Sequence, residues 1–183
     1  MHLVSRGIRG AFALALTAGA VQAQVGLTSS PATVSLTATK SATLTVSPTS
    51  ATATLASITD SSAANVFTPV TLTTSWNLGS GTSVNLVGWF ATPAQALANG
   101  TDLIPSSKVE GRVGAVAFAP FTSGATGGVG VANGSLVLFS QAVGAGSFFG
   151  SRSDQLDVRL NLANTSTVAG NYTGSLNLQA VVQ

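Results

Sequence analysis

Residues 70–90 read VTLTTSWNLGSGTSVNLVGWF. In the first half Val70, Leu72, Thr74, Trp76 and Leu78 share one parity, and Thr71, Thr73, Ser75 and Asn77 share the other. A period of two puts successive side chains on opposite faces of an extended chain, so the segment is a half-buried strand. Gly79-Ser80-Gly81 supplies a turn, and Val84 to Phe90 follows as a more fully buried strand. The two read as a hairpin carrying both tryptophans.

The same pattern recurs on either side. Val34, Leu36 and Ala38 alternate with Ser and Thr, as do Ala42, Leu44 and Val46, until Pro48 ends the run because it cannot donate to a ladder. Residues 109–118 and 135–143 read as strands. In 155–162, Leu156, Val158, Leu160 and Leu162 oppose Asp157, Arg159 and Asn161. A last strand opens at Asn171, with Tyr172, Leu176, Leu178, Ala180 and Val182 on one face. Thr92-Pro93 and Asn99-Gly100 bracket the one helical candidate of the region after residue 23, a stretch of one or two turns. Residues 119–134 hold five glycines and read as a long mobile loop. Eight or nine short strands with turn signals between them predict an all-β, immunoglobulin-like antiparallel β-sandwich with one short helix.

The N-terminus has the three parts of an export signal. Arg6 and Arg9 precede an apolar run at 11–21, and Val21-Gln22-Ala23 sets small residues at the −3 and −1 positions. The run falls short of the ~20 residues a membrane-crossing helix needs. The expected organisation is a signal peptide at 1–23 and one sandwich domain at 24–183, with 24–47 as an N-terminal strand free to move. An exported protein follows, destined for the periplasm, the cell surface or the exterior, with no membrane span.

Without the first 23 residues, the formal charge of +2 disappears, because Arg6 and Arg9 supply it. Lys40, Lys108, Arg112, Arg152 and Arg159 then balance Asp60, Asp102, Glu110, Asp154 and Asp157. Nucleic-acid binding needs clustered cations that displace counterions from phosphates, so it is not expected. There is no Cys, and the one His, His2, lies in the signal. A Ser–His–Asp triad, a Cys–His pair and a zinc site of N and S ligands are therefore excluded, and no catalytic, cofactor or metal residue is assigned.

Weaker chemistries leave traces. Lys40 and Lys108 lack the S-x-x-K setting of a Ser–Lys dyad. Asp154 and Asp157, flanked by Arg152 and Arg159, suit a charged outer strand face better than a carboxylate pair or a calcium site. The Gly-rich segment has no Lys-Ser/Thr after it to cradle phosphate. Among the aromatics, Trp76 shares the face of Val70 and Leu72 and belongs in the core. Trp89, Phe148 and Phe149 are the candidate contact surface, Trp89 by its parity and the phenylalanines by their Gly/Ser surroundings.

Ala169-Gly-Asn-Tyr-Thr-Gly-Ser-Leu-Asn-Leu178 resembles the closing strand of secreted, pilin-like sandwich proteins, including the spore-coat-U group. That resemblance implies an immunoglobulin-like fold and subunits that assemble by lending a strand to a neighbour. The middle of the chain, from Ser75-Trp-Asn-Leu78 to Leu103 through Gly111, is similar to secreted bacterial proteins of no assigned activity. The expectation is a non-enzymatic structural or adhesive surface protein, a fibre or pilus-like subunit that self-assembles or binds surface proteins. The alternative is a carbohydrate-binding module that takes polysaccharide on its aromatics.

Overall fold

Alternating residues become strands wherever both faces find partners, and eleven strands form among the described residues. The structure, a computed structural model, describes residues 30–144 and 146–183. The signal at 1–23 lies outside the described residues, as do residues 24–29 of the expected N-terminal strand. In chain order the strands are β1 (Thr43–Pro48), β2 (Asn65–Val66), β3 (Val70–Asn77), β4 (Ser83–Trp89), β5 (Leu97–Asn99) and β6 (Asp102–Ile104). There follow β7 (Val109–Val113), β8 (Ala119–Pro120), β9 (Ser135–Ala142), β10 (Phe149–Leu160) and β11 (Asn177–Val182). The count exceeds the expected eight or nine through the two-residue β2 and β8 and the small β5–β6 pair.

The fold is an antiparallel β-sandwich held within a compact unit, Thr39–Gln183. One sheet runs β1-β3-β10-β7-β8, with β2 also paired to β10, and the other runs β11-β4-β9. The seven longer strands divide four and three, as in immunoglobulin-like domains. Leu72 and Trp76 of β3, Val109 of β7 and Leu160 of β10 meet Leu86 of β4, Phe139 of β9 and Ala180 of β11 in one core.

The expected hairpin is not formed. β3 pairs with β1 on one side and β10 on the other, while β4 lies between β11 and β9. Residues 78–82 therefore carry the chain from one sheet to the other. At this corner Gly81 has a φ of 130°, and a Cβ there would stand 2.5 Å from Val182 Cγ1. Alternation followed by a glycine turn looks the same whether the strands pair or face each other across a core. Both inner faces here are apolar, so they face each other.

Three other expectations change. Pro93–Gln95 is a 3₁₀ turn, and Thr92 makes no side-chain capping bond. The rest of the expected helix is β5, paired with β6 so that Leu97 stands opposite Ile104, and Gly100 takes the turn at a φ of 62°. Burying Leu97 and Ile104 outweighs a helix too short to hold itself together. The alternation at 33–38 yields no strand; Val34 and Leu36 are 77% and 90% exposed. The 119–134 segment is built rather than open. It contributes β8, the wholly buried Phe121, and a bridge from Ser123 to Ser135. Gly127 lies against Val181 of β11 and Gly130 against Ser135 of β9, and between those strands Val87 of β4 has no exposed surface.

Phe121 is held by two missing side chains. A Cβ on Gly111 of β7 would lie 2.9 Å from its Cζ, and one on Gly88 of β4 3.0 Å from its Cε1. The ring therefore fills the space left by bare backbone in each sheet. It also meets Phe90 edge to face, with centroids 5.2 Å apart at 80°.

Candidate functional site

The register defines two poles. The β3–β4 corner and Phe149, which pairs with Asn77, mark the first. Trp89, the β5–β6 pair, the end of β10 and the start of β11 mark the second.

The three candidate contact aromatics do not form one surface. Phe148 and Phe149 lie at the first pole. Phe149 is 70% exposed, whereas Phe148 is half-buried and its carbonyl accepts from the Leu78 N–H at 2.7 Å. Trp89, also half-buried, ends β4 in the other sheet, opposite Ser135 and Asn177. The length of β4 separates the poles, roughly 20 Å at the usual rise per residue. Trp76 is core, as expected. Its indole N–H donates to the Ser147 carbonyl at 3.1 Å, and its ring lies where a side chain on Gly150 would stand.

The charged residues fall into two groups, and the expected single outer face is corrected. On the outside of β7 and β10, Arg112 donates to Asp157 at 2.9 Å and Arg159 to Glu110 at 2.6 Å. Gln155 also donates to Asp157, and Asn161 to Glu110. Both guanidinium carbons lie over the Phe118 ring, at 4.3 and 4.2 Å from its centroid. Arg152 and Asp154 have the opposite parity. They stand across from Thr74 and Leu72, whose side chains point into the core. Arg152 binds both oxygens of Asp154, at 2.5 and 2.7 Å, and stacks on Phe139 from the facing sheet, 4.0 Å from the centroid. The period-two reading missed this half of β10 because an inward charged pair imitates a surface.

These contacts limit what the carboxylates can do. The oxygens of Glu110, Asp154 and Asp157 receive guanidinium or amide donors, and Asp60 accepts the N–H and hydroxyl of Thr167 at 2.9 and 2.7 Å. Among the described residues no group of three or more His, Cys, Asp or Glu is placed to hold a metal ion. Nor is any helix among them long and apolar enough to cross a membrane.

Two concavities among the described residues lie toward the second pole. The first, about 380 Å³, opens between the end of β1 with its following residues and the start of β11. Its walls are mostly apolar, including Val70, Phe90, Leu156, Leu176 and Leu178. The second, about 400 Å³, lies among residues 102–108, residues 162–168 and Tyr172. Sequence reading found neither, because their walls come from segments far apart in the chain. No family model, curated protein or solved structure matches this chain.

Proposed function

We propose that this protein is a non-enzymatic, exported structural or adhesive subunit that self-assembles by adding its N-terminal segment to the sheet edge of a second copy. The observation carrying this reading is the segment before β1. Val34 and Leu36 are the most exposed large apolar side chains described, yet they alternate with Ser and Thr as a strand would. Strand addition supplies main-chain hydrogen bonds for affinity, while every second side chain enters a pocket. β1, β9 and β11 are edge strands, and the apolar cleft between β1 and β11 is a place where Val34 and Leu36 of another copy can be buried. Export, the absence of His and Cys after residue 23, and the pilin-like closing strand are consistent with such a role.

Sizing and electron microscopy of the purified protein test it. The expected result is concentration-dependent oligomers or fibres. Val34→Asp with Leu36→Asp should abolish them without lowering the melting temperature of the sandwich. A protein that stays strictly monomeric at high concentration, with no fibres, refutes the reading.

A further inference from the structure

We propose that the second concavity at the second pole binds one neutral saccharide unit, held by Asp102, Lys108 and the ring of Tyr172. This site is independent of strand addition. Its volume of about 400 Å³ lies in the range of small-ligand pockets.

Its charges set it apart. Every arginine after residue 23 is ion-paired, which occupies Glu110, Asp154 and Asp157, and Asp60 is bound by Thr167. Among the described residues, the side chains of Asp102 and Lys108 have neither an ion-pair nor a hydrogen-bond partner. Both are half-buried, and both line this one cavity. Partly exposed and without protein partners, the two bring one acceptor group and one donor group with unspent hydrogen-bonding capacity into a single pocket, which points to a ligand that uses both.

The chemistry of the lining selects the ligand. An ionised carboxylate only accepts and an ammonium only donates, and together they leave the pocket formally neutral. An anion would meet Asp102, and a cation would meet Lys108. A neutral polyol donates to one and accepts from the other. Leu103, Val168 and the Tyr172 ring add exposed apolar surface for the C–H face of a sugar. The Tyr172 hydroxyl donates to the Val168 carbonyl at 3.1 Å, which fixes the ring in place as a wall of the pocket. Trp89, Phe148 and Phe149 take no part in it.

The test is a titration of the full chain, followed by NMR or calorimetry. The probes are cellotriose, maltotriose, xylotriose, mannotriose and chitotriose, with glycylglycine as a zwitterionic comparison. At least one trisaccharide should bind at or below about 1 mM. Asp102→Asn and Lys108→Met should each weaken it by about tenfold or more, the worth of a charged hydrogen bond. Trp89→Ala should leave the affinity unchanged, and unaltered circular dichroism should show that each variant folds. The proposal is overturned if no trisaccharide binds at up to about 10 mM. It is equally overturned if binding survives both charge substitutions, or if glycylglycine alone binds.

Discussion

Replacing Gly111 by alanine tests the packing of the sandwich at its tightest point. Its φ is not positive, so alanine strains nothing locally. On backbone grounds alone the change should stabilise the fold by about 0.4–1 kcal/mol, because the unfolded chain loses freedom. The contacts predict the opposite sign. The new methyl would stand 2.9 Å from Phe121 Cζ, 3.0 Å from its Cε2 and 3.4 Å from Leu136 Cδ2. Phe121 has no exposed surface and is met from the other side by the backbone of Gly88, so the ring has nowhere to retreat. Overpacking of this kind costs about 1–3 kcal/mol. In a domain of this size that lowers the melting temperature by roughly 2–10 °C. Urea unfolding of Gly111→Ala, Phe121→Leu and the double variant measures it. Phe121→Leu alone should destabilise by vacating space, but Gly111→Ala placed on top of it should cost much less than in the parent. An alanine variant more stable than the parent, or two effects that simply add, would refute the packing argument.

Two further substitutions probe buried polar groups. Asn65, nearly buried, receives the Thr59 N–H at 2.6 Å and donates to the carbonyls of Thr59 and Ser62 at 3.0 and 3.1 Å. Asn65→Ala should cost about 2–4 kcal/mol in urea unfolding, and Asn65→Asp, which keeps the acceptor but turns a second carboxylate oxygen toward the Thr59 and Ser62 carbonyls, should cost at least as much at neutral pH. Thr74, 1% exposed, has a hydroxyl without a partner. Thr74→Val keeps the β-branched shape and should stabilise by about 1 kcal/mol, seen as a higher urea midpoint at unchanged slope.

The strands were legible in the sequence because most of them bury one face and wet the other. Leu72 and Trp76, or Leu156 and Leu160, announce themselves by parity. Sheet membership was not legible: residues 78–82 form a corner whose local pattern matches a hairpin turn, and only the partners of β3 and β4 distinguish the two. The N-terminal half of β10 was hidden by Arg152 and Asp154, whose charge suggests solvent while Phe139 and each other satisfy them inside. Phe121 was hidden for a related reason. A glycine-rich segment reads as open loop, yet here the glycines that matter lie in β4 and β7, where they admit a ring contributed by that segment. Of the candidate contact residues, the phenylalanine pair was readable as exposed surface at Phe149, whereas Asp102, Lys108 and Tyr172 come to line one concavity only through the folded second pole.

The placement of charge has a consequence for assembly. Folded proteins usually guard sheet edges with Lys, Glu or Pro, or with bulges, so that stray strands do not add to them. In this sandwich β1, β9 and β11 contain no charged residue at all, whereas the interior strands β7 and β10 carry the three ion pairs found among the described residues. Those edges are guarded by Pro48 at the end of β1, by a register irregularity opposite Leu86 and Val87 in β9, and by the bridge from Ser123 that covers Ser135 at the start of β9. Cross-strand pairs on β7 and β10, with Phe118 beneath two guanidiniums, tie the middle of the larger sheet together without help from its rim. The rest of the rim carries no charge to oppose pairing. An edge selected only for the stability of a lone molecule would gain from a single lysine facing outward. Its absence from all three strands favours the strand addition between copies proposed above.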